Sequence, residues 1–316
     1  MNPQPQLSIV IVNWNAGSQL TDVVASIAEY HHGLVEAVII ADNASTDDSL
    51  ARVEALQDLP FKLLIIRNSE NLGFGKACNL GARQANSDYL LFLNPDAALY
   101  ANTLPKALAY MQDPANARVG ICGVQLLDET SHVSRSCSRF PSPLGLVSQV
   151  VGLDRVFPRL GQFMDDWDHH DVREVDHVIG AFFLVRRELF AALNGFDERF
   201  FVYSEDIDFS YRAYQAGWRS VYLADAQAFH AGGGTSRQVK ARRLFYCLRS
   251  RLVYVFKHFS WVGAWGVLLA ILLVEPFSRS ALVLLRRSES GLKETWAAYG
   301  MLWRWLPQWV FTGVTR

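Results

Sequence analysis

The sequence predicts an α/β protein with a doubly wound, mostly parallel central sheet, flanking helices and a C-terminal helical extension. Three observations carry this expectation. Apolar runs alternate with helically spaced apolar residues over about the first 125 positions. Several of those runs are apolar without alternation, as in strands covered on both faces of a parallel sheet. Residues 235–316 abandon the alternation and interleave basic with large apolar side chains.

The elements follow in order. Leu7-Ser8-Ile9-Val10-Ile11-Val12 reads as a buried first strand, and Leu20, Val23, Val24 and Ile27 recur at helical spacing. Residues 35–41 form a second strand, ending in Asp42-Asn43-Ala44-Ser45-Thr46-Asp47, and residues 61–66 a third. Residues 79–85 read as a helix. Tyr89-Leu90-Leu91-Phe92-Leu93 is a strand that stops at Asn94-Pro95-Asp96, because Pro95 cannot donate to a ladder. Right-handed crossovers then give the parallel sheet. Residues 119–127 are a further strand. Residues 128–176 lose periodicity and carry Pro141, Pro143 and Pro158. Within them Asp165-Asp166-Trp167-Asp168-His169-His170-Asp171 reads as a solvated, mobile loop rather than a metal site. Residues 178–186 return to strand character. A helix begins near Ser204-Glu205-Asp206 and stops at Gly217.

With 316 residues, half of them hydrophobic, the chain buries a large core and is not a disordered segment. The net charge of −1 marks no polyanionic partner. Its distribution is uneven: residues 235–316 hold 13 basic and 3 acidic residues, leaving 17 against 28 before them. An acidic body with a basic tail calls for an anionic surface at the tail. Cys78, Cys122, Cys137 and Cys247 form no CxxC pair and read as reduced thiols. The start of the chain has neither a basic n-region nor a long apolar stretch, so it reads as a cytoplasmic protein without a signal peptide.

Four segments carry chemistry. Asp96 falls at the carboxyl edge of the sheet, where ligands of open α/β folds bind. A carboxylate there suits a divalent cation bridging phosphates, and equally suits an ordinary turn. In Ser204-Glu205-Asp206-Ile207-Asp208, three carboxylates crowd a helix start flanked by aromatic residues. Capping explains one or two of them; a partly desolvated general base explains a third, and spacing alone does not choose. Asn71-Leu72-Gly73-Phe74-Gly75-Lys76-Ala77-Cys78-Asn79 places glycines before a helix, as a phosphate or sugar contact or as a plain tight turn. His230 enters the glycine run 232–234, as a structural residue or as a ligand.

Taken together, Asn13-Trp14-Asn15, Asp42-Asn43, Asn71-Leu72-Gly73-Phe74, Asn94-Pro95-Asp96, Gly180-Ala181, Gly195-Phe196-Asp197-Glu198, Ser204-Glu205-Asp206 and His230 occur in the order seen in glycosyltransferase family 2. The chain resembles the rhamnosyltransferase-type branch over roughly residues 7–257. The resemblance implies a Rossmann-like GT-A fold. It implies a catalytic domain over 1–234, with a nucleotide-sugar half to about 125 and an acceptor half from about 126, followed by the region 235–316. It implies inverting transfer from a dTDP- or UDP-sugar, rhamnose foremost, to a glycan or lipid-linked hydroxyl in bacterial surface polysaccharide synthesis. A UDP-hexose transferase and a catalytically silent sugar-nucleotide scaffold are the alternative readings. By the same resemblance Asn13, Asn15, Asp42, Asn43, Gly73, Gly75, Asn79 and Asn94 border the nucleotide-sugar. Asp96, which also borders the nucleotide-sugar, binds Mg2+ or Mn2+, with His230 as a second ligand or a diphosphate contact; Asp206 is the base, and Glu205 beside it orients the acceptor or donor sugar. Many relatives carry Asp-x-Asp where this chain has Asn94-Pro95-Asp96, and a neutral amide contributes less charge to a cation.

In the tail, Arg237, Lys240, Arg242, Arg243, Arg249, Arg251 and Lys257 alternate with Leu244, Phe245, Leu248, Leu252, Tyr254 and Phe256. That pattern suits an amphipathic helix on the inner face of the cytoplasmic membrane, and suits nucleic acid poorly. Residues 259–274 are uncharged but too short to span a bilayer; Trp261, Trp265, Trp296, Trp303, Trp305 and Trp309 favour an interface. Packing on the catalytic body or a homodimer contact is the competing reading.

Overall fold

The computed structural model describes residues 6–164, 166–232 and 239–315. Asp165, residues 233–235 and Arg237 lie outside the described residues. The strands are β1 (Leu7–Asn13), β2 (Val35–Asp42), β3 (Lys62–Arg67), β4 (Tyr89–Leu93), β5 (Ala97–Leu99), β6 (Val119–Leu127), β7 (Val133–Ser134), β8 (Cys137–Ser138), β9 (Arg173–Val175), β10 (His177–Val178), β11 (Phe182–Arg186) and β12 (Arg219–His230). The helices are α1 (Gln19–Tyr30), α2 (Ser49–Glu54), α3 (Phe74–Ala82), α4 (Thr103–Gln112), α5 (Pro143–Val151), α6 (Arg187–Ala192), α7 (Glu205–Gln215), α8 (Lys240–His258), α9 (Trp261–Leu273), α10 (Glu275–Leu285) and α11 (Glu289–Thr312).

The chain divides into two compact units. The first comprises Met1–Ser138, Asp168–Asp197 and Asp206–Thr235. Among its described residues one sheet runs β3-β2-β1-β4-β11-β6-β12-β5, with β7 on β6 and β9 on β12. Strands β1, β2, β3 and β4 are mutually parallel, as the unbroken apolar runs require. The register sets Asn13 beside Asp42 and Ile11 beside Leu93, so the carboxyl ends of β1, β2 and β4 finish on one edge. Strand order reverses at β1, and the crevice outside such a reversal is where α/β sheets bind ligands. All five side chains of β4 are buried, each contributing about 1.5–3 kcal/mol to the core. Strand β11 then pairs antiparallel with β4, placing Phe182 opposite Leu93. The long strand β12 ends with His230 opposite Ala97 of β5.

The second unit comprises Arg139–Trp167, Glu198–Glu205 and Ser236–Arg316. Helix α5 packs on α9, and α8 packs on both α9 and α11. The Ser250 hydroxyl of α8 donates to the Val202 carbonyl at 2.8 Å, which anchors the segment leading into α7. Several tail cations are used internally. Arg249 is buried with its guanidinium over Phe201, Phe245 and Tyr246. Arg251 and Arg279 both pair with the buried Glu275. Among the described residues no single helix is long and apolar enough to cross a membrane; α9 and α10 together are, but they bend by 41°.

Four elements differ from expectation for identifiable reasons. Helix α3 starts at Phe74 rather than 79, because Gly73 (φ 82°) supplies a left-handed residue just before it. Helix α5 lies inside the stretch read as irregular. Ser142 accepts from the Gly145 N–H, Pro143 occupies the first turn and Gly152 (φ 77°) ends the helix. The strand expected at 178–186 is broken into β10 and β11 around Gly180. The acidic loop is partly packed: His169 is buried, and its carbonyl accepts from Gln125 Nε2 and the Tyr222 hydroxyl.

Candidate active site

Asp206 stands in the first turn of α7 with its carboxylate fixed by backbone. Oδ2 accepts the Gly180 N–H at 2.8 Å, and Oδ1 accepts the Ile207 N–H at 2.9 Å. Gly180 has no side chain to keep the carboxylate away: a Cβ there would lie 3.1 Å from Oδ2. One residue on, the Ala181 carbonyl accepts the Asn94 N–H at 3.0 Å, extending the β4–β11 ladder. The turn holding Asn94-Pro95-Asp96 and the carboxylate of Asp206 are therefore joined through two consecutive backbone residues at one sheet edge.

Asp96 is buried, and its Oδ1 lies 3.3 Å from His230 Nε2. The Ala231 N–H donates to the Asp96 carbonyl at 3.1 Å, so the end of β12 is tied to the same turn. Asn94 Nδ2 lies 3.5 Å from the same ring nitrogen. Carboxylate and imidazole are close enough to share one cation. Among the described residues no third His, Cys, Asp or Glu joins them. These two side chains would be the ones to hold a divalent ion, leaving much of its shell to ligands other than protein, as is common for Mg2+.

The three carboxylates of α7 separate by environment. Asp208 is buried and binds Arg212 Nε at 2.8 Å; that guanidinium also donates to the carbonyls of Leu193 and Gly195. Glu205 is buried as well. Tyr203 (φ 67°) and Ser204 (φ 68°), just before the helix, both hold left-handed conformations, strain of the kind that gathers at functional sites. The aromatic residues around the segment form a packed cluster of Phe92, Phe190, Phe196 and Phe209.

At the ends of β1 and β2, Asn13 Nδ2 donates to Asp42 Oδ1 at 2.8 Å and to the Ser49 hydroxyl at 2.9 Å. Asn13 Oδ1 is buried and meets no partner among the described residues, which leaves an acceptor for a ligand N–H. Asp42 also takes the Ser45 hydroxyl and N–H. Asn15 (φ 53°) accepts the N–H groups of Thr46 and Asp47 and so shapes that loop. Asn43 donates to the Gly73 carbonyl and accepts from Asn68, which holds the glycine turn in place. Gly75 is buried in the first turn of α3. Asn79 makes a reciprocal pair with Phe196, donating to its carbonyl at 2.8 Å and accepting its N–H at 2.9 Å.

His177 was not singled out by sequence. It is 4% exposed on β10, with Nδ1 3.1 Å from the Ser210 hydroxyl and Nε2 3.6 Å from Asp206 Oδ2. Burial lowers its pKa below the ordinary value, against the opposing fields of Asp206 and Asp176. Its only sequence signal is that it lies three residues before Gly180.

The Glycosyl transferase family 2 profile matches residues 8–193, more than half of the chain. The chain belongs to glycosyltransferase family 2. This member is accordingly a glycosyltransferase with the GT-A fold, as its motifs predicted. It is 29% identical over 273 residues to an N-acetylglucosaminyl-diphospho-decaprenol L-rhamnosyltransferase of Mycobacterium tuberculosis, covering 81% of this chain and 86% of that protein. It is also 29% identical over 192 residues to the rhamnosyltransferase WbbL of Escherichia coli, covering 58% and 70%. Among solved structures, the mannosyltransferase PcManGT of Pyrobaculum calidifontis, in complex with GDP-Man and Mn2+, superposes with a TM-score of 0.57 at 18% identity, covering 93% of this chain and 74% of that one. The first 349 residues of TarS from S. aureus, in complex with UDP-GlcNAc, superpose with a TM-score of 0.56 at 18% identity, covering 94% and 80%. At that identity the two structures speak to the fold.

Proposed function

We propose that this glycosyltransferase moves L-rhamnose from dTDP-rhamnose to a hydroxyl of a lipid-linked glycan acceptor, by a single displacement that inverts the anomeric centre. The observation that carries the reading is the joining of Asp206, through Gly180 and Ala181, to the Asn94-Pro95-Asp96 turn. One group can then act on the incoming hydroxyl while the other faces the departing diphosphate. The rhamnosyl donor and lipid-linked acceptor rest on what the relatives' names state.

In this reading the base of the nucleotide enters at the ends of β1 and β2, where Asn13 Oδ1 and Asp42 offer acceptors to its N–H. Asn43 and Asn79 act by holding the glycine turn and the Phe196 turn. Asp96 and His230 would hold a divalent ion, whose chemistry is to neutralise charge on the leaving diphosphate. Asp206 removes the acceptor proton as its oxygen attacks, a contribution of roughly 10²–10⁴-fold. The backbone donors to both of its oxygens fix the direction in which it can do so.

The helical region attaches the enzyme to an anionic membrane surface on the cytoplasmic side. What supports this is one stripe on α9: Trp261, Trp265, Leu269 and Leu273, spaced four apart and all exposed. Lys240, Arg242 and Arg243 are exposed on α8.

A thermal-shift panel of nucleotide-sugars with Mn2+, followed by NMR of the product's anomeric configuration, tests the reading. Stabilisation by dTDP-rhamnose above UDP- and GDP-sugars, lost in Asp96→Ala, is expected. Preference for a UDP-hexose would replace the donor, and a retained anomeric configuration would overturn the single displacement.

A further inference from the structure

Behind the Asp206 carboxylate sits a buried imidazole that the proposed chemistry does not use. The Ser210 hydroxyl contacts two groups, the Asp206 carbonyl at 3.0 Å and His177 Nδ1 at 3.1 Å. A carbonyl only accepts, so the hydroxyl hydrogen points to Asp206 O. Ser210 then presents a lone pair to His177, and Nδ1 carries the ring proton. In the neutral ring Nε2 is left bare, 3.6 Å from Asp206 Oδ2. That distance is too long for a hydrogen bond, and no proton lies between two acceptors in this resting arrangement.

We propose that His177 is a positioning residue for Asp206 that receives, through it, the proton taken from the acceptor hydroxyl. This rests on the reading of Asp206 as the base. The balance is simple. The acceptor O–H bond breaks as its oxygen bonds to C1 of the sugar. The bond from C1 to the diphosphate oxygen breaks, and its electron pair leaves with the diphosphate. The proton reaches Asp206 and is then shared with, or passed to, His177 Nε2, which becomes imidazolium beside a restored carboxylate. Contact between the two closes to hydrogen-bonding distance only after the proton arrives, so the pair is arranged for the state after attack rather than before it.

The surroundings fit a ring that is neutral at rest. Burial is the largest influence on His177 and favours the uncharged form; Asp206 on α7 and Asp176, its neighbour in sequence, favour the charged one. On the paired strand β8, burial pushes the Cys137 thiol up to about 12, so it adds no charge. From α7, Ser210 is the neutral partner.

Asn at position 177 keeps an amide nitrogen near the Nδ1 position but places nothing at Nε2. His177→Asn is expected to lose about 10–100-fold in kcat, with donor and acceptor KM changed less than about threefold. The acidic limb of its kcat–pH profile should lose the ionisation that the wild type shows below the ordinary histidine range. Wild-type kcat with an unchanged profile would overturn the proposal. If that variant is unstable by thermal melt, 15N NMR of histidine-labelled wild-type protein decides. The neutral ring should be the Nδ1–H tautomer, and Asp206→Asn should lower the pH at which it titrates. An Nε2–H tautomer, or a titration indifferent to Asp206→Asn, would overturn it. An active Asp206→Asn enzyme sinks the base reading itself. An inactive Asp206→Asn enzyme beside a normal His177→Asn sinks only the role of His177.

Discussion

Replacing Gly180 with alanine is the smallest change that displaces the Asp206 carboxylate. Gly180 does not occupy the left-handed region, so the added methyl brings contact without backbone strain. That methyl would stand 3.1 Å from Oδ2, inside the 3.4 Å at which ordinary contact begins, so the carboxylate must yield by a few tenths of an ångström. The shift misaligns the 2.8 Å bond from the Gly180 N–H. A hydrogen bond to a charged group is worth about 1.5–3 kcal/mol, and losing half of it costs about 1 kcal/mol. A displacement of about 1 Å at a reacting group costs on the order of 10²-fold, so a few tenths correspond to roughly 3–10-fold, and the weakened hydrogen bond adds up to about fivefold more. Gly180→Ala should therefore reduce kcat about 5–50-fold, leave donor KM within about twofold and lower Tm by a few degrees at most. Steady-state kinetics of sugar transfer, with a thermal melt on the same preparation, measures all three. The same substitution in an Asp206→Asn background should add nothing further. Unchanged kcat, or a loss confined to KM, would refute the reasoning, because the methyl would then not be acting through the carboxylate.

Other outcomes follow from the same geometry. Gly195→Ala forces a side chain onto a residue at φ 71° and puts its Cβ 2.5 Å from Asn79 Oδ1, so it should destabilise by roughly 2–4 kcal/mol in urea unfolding; a loss below about 1 kcal/mol would mean the Asn79–Phe196 pair is dispensable. His31 is buried against the Tyr100 carbonyl and its pKa is lowered to about 4, chiefly by burial. Its folded value lies below its unfolded value, so the stability it contributes is present above about 6.5 and is lost as pH falls toward 4; between pH 8 and pH 5 the loss should be about 2 kcal/mol, and His31→Gln should flatten that part of the profile. Trp261→Glu combined with Trp265→Glu places charge in the exposed stripe of α9 and should abolish flotation with anionic liposomes while transfer to a water-soluble acceptor persists; flotation by the double variant would remove the stripe from the membrane contact.

What could be read from sequence was local. The apolar run 89–93 and Pro95 together fixed where the strand ends, and hence where Asp96 emerges, because both signals lie within eight residues. The start of α7 was legible for the same reason. The partners of these residues were not. Asn79 reads as a polar helix position until Phe196, 117 residues away, is folded against it. His177 and Ser210 are 33 residues apart, and a two-residue strand has no periodicity to betray it. Helix α5 was hidden by its own start signal, since Ser142-Pro143 before a glycine reads equally as loop. The tail's basic residues counted alike in the sequence, yet Arg249, Arg251 and Arg279 pack against aromatic rings or Glu275, leaving fewer charges for a surface than composition alone implies.

The most direct measurement is single-turnover sugar transfer by Asp206→Asn alongside calorimetry of its donor binding. The account predicts transfer slowed by about 10²–10⁴-fold with donor affinity within about twofold of wild type. Transfer at close to the wild-type rate would contradict it, whatever the affinity.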